Sequence, residues 1–260
     1  MSQNENRRGQ SYIGRGQVSM RALIAGTATS LVNIGNCNQF NITYGEQAFT
    51  QKDYTDAGGG NAAKLTQVSD VTGAITTFSF DPNVIAAVMR AKINEQAAGQ
   101  AKEETTTIAN LDAFIRLKCL PDKAEAIDVT VDGAAAPLVV DVDYSVTKAG
   151  IQLLNPEQNA GVALDDVIKV NYKTLKSVNI SPLTEAQTNY EIAFDGLNEA
   201  NSKKPVSILV RCAAVDVVQA FNVISGDSEF GNLPFTFEAL KDDNVTEDGL
   251  SPFIQILMAE

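Results

Sequence analysis

The chain contains no histidine. This removes Ser-His-Asp and Cys-His nucleophilic systems, HExxH zinc sites and every imidazole acid/base step, and does not exclude carboxylate or lysine catalysis. Tryptophan is absent too. Carbohydrate-binding and glycoside-hydrolysing β proteins ordinarily stack sugars on that ring, so its absence argues against this class. Three cysteines, Cys37, Cys119 and Cys212, are odd in number and widely spaced, with no CxxC. They read as small apolar side chains made in a reducing compartment, not as a zinc site.

Basic charge is scarce. Lys and Arg number 20 against 32 Asp and Glu, for a net charge of −12. A protein that grips phosphates needs the opposite balance, because its affinity comes from Lys and Arg displacing counterions. The basic positions near the start, Arg7, Arg8, Arg15 and Arg21, read as a solvated or inter-subunit arm. No apolar run reaches the roughly 18 residues of a membrane helix. The longest, from Ala213 to Ile224, is broken by Asp216 and Gln219. The polar opening, Ser2 to Arg8, predicts no secretory signal. Gly14-Arg15-Gly16 lacks the later glycine of a dinucleotide fingerprint, and no phosphate-binding loop follows. The paired acids Asp165-Asp166 and Asp242-Asp243 fall in turn-like segments and read as exposed loop charge. No catalytic, metal or cofactor residue is singled out.

What remains is strand after strand. Phe40, Ile42, Tyr44 and Glu46 alternate with Gln39, Asn41, Thr43 and Gly45, one face mostly apolar and the other polar. A glycine-rich loop is expected from about Gln51 to Asn61. Ala62 to Ser69 and Thr72 to Phe80 read as two strands joined by a turn near Asp70 to Gly73. One helix is expected, with Asp81 as N-cap and Pro82 at its first position. Its stripe is Val84, Ile85, Val88, Met89 and Ile93, and Gly99 is the expected stop. From Pro121 to Lys173, short strands alternate with Asp, Gly, Asn and Pro. The stretch 121–172 therefore reads as a small inserted β module of about 50 residues, near the lower limit for folding alone. Residues 1–120 and 173–260 form the main body. In the last third, Thr188, Tyr190, Ile192 and Phe194 oppose Gln187, Asn189, Glu191, Ala193 and Asp195. Val206 to Val218, Leu233 to Leu240 and Phe253 to Met258 complete the strands. The expected class is all-β with one flanking helix, a sandwich or barrel carrying a small β module.

The order of these pieces resembles the bacteriophage major tail tube family. The likeness runs through Gly14-Arg15-Gly16, Ile34-Gly35-Asn36, Asp53-Tyr54-Thr55, Gly58-Gly59-Gly60-Asn61 and Phe78-Ser79-Phe80-Asp81-Pro82-Asn83. It continues at Asp195-Gly196-Leu197-Asn198. Asp141-Val142-Asp143-Tyr144-Ser145-Val146 with Gly150-Ile151-Gln152-Leu153 resembles a module of phage virion proteins. The polar linker Gln96 to Glu104 matches nothing in the pattern. The resemblance implies a subunit whose six copies form a ring, with rings stacked into a hollow tube lined by a shared β barrel. Such a tube holds the tape measure protein, then conducts genomic DNA without binding it tightly. It meets tail terminator and tail-tip or baseplate proteins, is assembled in the host cytoplasm, resides in the virion, and needs no cofactor or membrane insertion. Gln39, Asn41, Thr43, Glu191 and Asp195 are then the lumen candidates. Asp53, Tyr54, Thr55, Asp56, Gly58, Gly59, Gly60 and Asn61 are the candidate inter-ring or inter-subunit loop. The alternative is the tube subunit of a bacterial contractile or type VI injection apparatus. Such tubes are usually shorter, and the 121–172 insertion favours the phage reading.

Overall fold

The computed structural model describes residues 11–24, 27–55, 59–112, 114–134, 136–154, 162–218, 220–224 and 230–259. In chain order the first strands are β1 (Gly14–Ile24), β2 (Thr27–Ala28), β3 (Val32–Asn33), β4 (Cys37–Lys52) and β5 (Asn61–Thr77). The helix α1 (Pro82–Met89) follows. Next come β6 (Lys92–Gln96), β7 (Ala101–Thr107), β8 (Phe114–Arg116), β9 (Asp128–Val131), β10 (Tyr144–Val146), β11 (Gly150–Leu153), β12 (Val167–Lys173) and β13 (Ser177–Ser181). The chain ends with β14 (Asn189–Asn198), β15 (Lys204–Val215), β16 (Leu233–Ala239) and β17 (Ile254–Met258). Among the described residues the protein is mostly antiparallel β with one helix.

The chain divides into two compact units, Met1–Lys92 with Ser181–Glu260, and Ile93–Ile180. The first holds one sheet in the order β2-β1-β14-β15-β16-β5-β4, with β17 also on β15 and β3 on β1. The path is open at both ends, so no barrel closes within the described residues. Strand order places β15, β16 and β5 between β14 and β4. Nevertheless, the Phe40 ring on β4 lies 6.1 Å from Phe194 on β14 and 6.3 Å from Phe237 on β16. The sheet therefore curls, and its inner face closes on an aromatic core with Val18, Met20, Ile75, Ile192 and Phe235. Gly73 is what lets the Phe237 ring lie flat there: a Cβ at Gly73 would stand 2.3 Å from it.

Asp81 caps α1 as its residue type predicts, accepting from the Asn83 N–H at 2.8 Å, with Pro82 following. The helix stops well before Gly99. Arg90 turns left-handed at φ 50° and ψ 52°, and its N–H reaches back to the carbonyls of Ala86 and Ala87. Ile93 leaves the expected helical stripe and joins β6, which pairs with β13. Nor do residues 62–80 make two strands. Asn61–Thr77 is one strand of 17 residues, with a register shift opposite Gly45/Glu46 where a turn was expected. A bulge absorbs the extra residue without ending the ladder.

The second unit is wider than the stretch 121–172. It pairs β10-β11-β8 in one sheet and β7-β12-β9 in another. The stretch expected to be a polar linker supplies much of β7, whose Ala101 to Glu104 pair with Lys173 to Val170. Its core gathers Ile115, Val129, Val131, Tyr144, Ile151, Leu153, Ile168 and Val170, all buried. Glu104 points to this inner side, where Tyr172 donates to its carboxylate and the Lys118 N–H bonds it at 3.0 Å. Burial and the Glu104 carboxylate hold the Tyr172 hydroxyl well above the ordinary tyrosine range.

Candidate functional site

Residues directly opposite on neighbouring strands share a sheet face, so register decides which of the lumen candidates stand together. Asp195 lies between Gln17 and Ser207, and Glu191 lies opposite Arg21. On the far strands Gln39 faces Thr76, Asn41 faces Ala74 and Thr43 faces Thr72. The residues between them, Phe40 and Ile42, share the inner face with Ile75 and Gly73. Tracing the pairs from Phe194 through Ile208, and from Ala213 through Ala239 and Phe237 to Gly73, keeps the core face continuous. Gln39, Asn41, Thr43, Glu191 and Asp195 therefore fall on the one face turned away from the core.

They are not equivalent there. Gln39, Asn41, Thr43 and Asp195 are exposed, whereas Glu191 is half-buried. The Arg21 guanidinium meets the Glu191 carboxylate at 2.8 Å, with the side chains 30% and 16% exposed. Glu191 is thus a neutralised charge. Asn41 spends its side-chain oxygen on the Ala74 N–H at 2.8 Å. The sequence reading missed Glu238, exposed on β16 and opposite Thr72 and Ala214 on this same face. The signal was present: Leu233, Phe235, Phe237 and Ala239 are all buried and alternate with it. Arg211 was missed as well. Its guanidinium donates to the Ser251 carbonyl and the Gln255 side chain, each at 3.2 Å.

The loop candidates sit at the end of a long ribbon. β16 pairs with β5 only over Thr72–Thr77. Beyond Thr72, β4 and β5 continue as a two-stranded arm whose residues Glu46–Lys52 and Asn61–Asp70 are exposed on both faces. At about 3.3 Å per residue the arm is roughly 30 Å long. Phe49 and Leu65 lie directly opposite each other on it, 49% and 56% exposed. Tyr44 and Val68 are exposed nearby, and Tyr54 at the tip is 87% exposed. The Asp53 N–H donates to the Gly60 carbonyl at 2.8 Å and closes the tip. The Asp53 carboxylate accepts from the Thr55 hydroxyl and N–H, which holds its pKa below the usual carboxylate range. Gly59 and Gly60 take φ +60° and +155°, backbone that side chains rarely allow. Asn61 is the first residue of β5, not loop, and Asp56 and Gly58 lie outside the described residues.

A lone two-stranded ribbon is marginal in water, and paired exposed aromatic and aliphatic side chains on it call for a covering surface. Open backbone edges point the same way. β17 pairs with β15 on one side, and Ile256, Leu257 and Met258 are each more than half exposed. Among the described residues nothing pairs with its other side. Such an edge is a template for another strand. The groups gathered here suit contact between proteins, and the described residues hold no cluster of three or more potential metal ligands.

The chain belongs to the family described as "Protein of unknown function UCP028589", whose pattern it matches over residues 11–257. No curated protein matches it.

Proposed function

We propose that this member of the family is the structural subunit of a phage tail tube, assembling into rings that stack into the conduit for genome ejection. The arm carries the reading. A ribbon exposed on both faces, with Phe49 against Leu65 and Tyr54 at its tip, gains its burial from a neighbouring copy. The open edges of the curled sheet support closure by other copies, since a ring removes edges that would otherwise pair without limit.

The face turned from the core suits a passage for DNA. Its exposed groups include neutral amides and hydroxyls and the acids Asp195 and Glu238, alongside Arg15 and the apolar Leu257. Its arginines each have a partner, Arg21 in Glu191, Arg15 in Glu199 at 3.1 Å, and Arg211 in Ser251 and Gln255. Phosphates meet like charge there, and little counterion release rewards contact. The partners in this reading are further copies of the chain, the tape measure protein, the tail terminator, the tail-tip or baseplate proteins and DNA in transit. The chemistry is passive, and the proposed place is the virion.

The test is direct. Concentrated purified protein, viewed by negative-stain microscopy alongside sedimentation velocity, should show rings or tubes. A folded protein that stays a single copy up to millimolar concentration, with no rings on the grid, would sink the reading.

A further inference from the structure

A second surface of the first unit fits a partner's acidic side chain. A cavity of about 440 Å³ opens between α1, β1 and the start of β14, with Met20, Ile24, Val32, Val84 and Tyr190 among its apolar walls. Arg90 enters it from the helix end. The guanidinium donates once, from Nη2 to the Val215 carbonyl at 3.4 Å, while its Nε–H is buried without an acceptor. Among the described residues no acid lies within ion-pair distance of Arg90. Glu185 stands at the same cavity, exposed, and bonds to Arg90 only through its own backbone N–H. With Nε sealed off, the terminal N–H groups not spent on Val215 are the ones open to a carboxylate that arrives with its own apolar neighbour.

The same unit carries such a group. The loop from Lys241 to Gly249 is acidic and mostly exposed. Asp242 accepts from Asn244, and Asp243 pairs with Lys241 at 3.1 Å. Glu247 and Asp248 have no cation within pairing distance among the described residues. Beside them Gly249 turns the chain at φ +88°, and Leu250 is 43% exposed. This loop joins β16 to β17, whereas the cavity is bordered by α1, β1, the run into β14 and Val215 at the end of β15. No residue of the loop is among those that line the cavity. Repeated in one direction from copy to copy, a contact between two different patches is the head-to-tail kind that closes a ring.

We propose that the Arg90 cavity receives Glu247 or Asp248 from the loop of an adjacent copy, a contact that rests on the ring assembly proposed above. It supplies each ring junction with a charge pair shielded by apolar walls, and it fixes the orientation of neighbours. The experiment is a charge exchange read by sedimentation and microscopy. Glu247→Lys with Asp248→Lys sits on an exposed loop and leaves the monomer's Tm unchanged. It should raise the concentration needed for rings at least tenfold, as should Arg90→Glu. Combining the three substitutions should restore assembly to within a fewfold of the parent. If Arg90→Glu does not fold, Arg90→Gln takes its place and should weaken assembly without a rescue by the loop lysines. Wild-type assembly by the loop variant, or a folded Arg90→Glu triple variant no better than its singles, would overturn this contact while leaving the tube reading standing. Failure of the parent protein to form rings would strike the tube reading instead.

Discussion

Arg21 and Glu191 lie directly across from each other on β1 and β14, joined at 2.8 Å. Their pairing turns what looks in sequence like a row of free acids into a face with one neutralised site and separate exposed ones. Both groups lose most of their hydration on folding, and the Arg21 Nε–H is buried with no acceptor. The pair is therefore sensitive to losing one partner.

Glu191→Gln should lower the unfolding free energy by about 1–3 kcal/mol, because it leaves a partly buried guanidinium without its counter-charge. Asp195→Asn, exposed on the same face, should change it by less than about 0.5 kcal/mol. Urea unfolding of the two variants side by side checks this. Equal effects would show that the ion pair contributes no more than an ordinary surface contact.

The ejection test belongs on the exposed acids. If the tail-tube proposal holds, in phage carrying Asp195→Lys with Glu238→Lys each new lysine beside a phosphate releases about one counterion, so DNA retention falls steeply with salt. Particles should look normal, eject slowly at low salt and recover as salt rises. Ejection at the parental rate at low salt, from particles confirmed to hold both lysines, would remove this face from the channel.

The arm should contribute to assembly and little to the fold. Replacing Glu46–Val68 by an Asn-Gly turn leaves the Phe40–Phe194–Phe237 core intact. The monomer's Tm should stay within a few degrees, and rings should vanish. Phe49→Ser with Leu65→Ser is the milder version, expected to raise the assembly concentration several-fold. Rings from the armless protein at the parental concentration would show that the arm is not the covering contact.

Alkaline pH should loosen the second unit. Burial and Glu104 raise the Tyr172 pKa in the folded chain above the ordinary value near 10. The folded state thus holds this proton more tightly than the unfolded one. The resulting stability is complete below about pH 10 and is lost as pH rises through the folded value. Tyr172→Phe should remove that part of the pH dependence and cost about 1–2 kcal/mol at neutral pH through the lost hydrogen bond. Unfolding curves at pH 8 and pH 11 measure both effects, and an unchanged slope in Tyr172→Phe would contradict the assignment.

Much of the fold was written locally. The alternation of Phe40 and Ile42 with Gln39, Asn41 and Thr43 dictates which side chains turn inward, because successive residues of a strand point to opposite faces. The same holds for Ile192 and Phe194 against Glu191 and Asp195. The start of α1 was legible from Asp81 and Pro82, whose chemistry acts within one turn. The absence of histidine and the acidic balance are likewise properties of the chain alone. Partners distant in sequence were not legible. That Glu191 meets Arg21, that β7 belongs with β12, and that Arg90 ends the helix before Ile93 follow from register and pairing between remote segments. The bulge near Ser69 keeps β5 continuous because one unpaired residue costs less than breaking the β4–β5 ladder that runs on both sides of it. The sequence by itself thus determined an all-β chain with its polar and apolar faces sorted. The tertiary structure decided which of those faces stayed uncovered, because burial depends on how far each partner strand extends, and β16 ends where the arm begins.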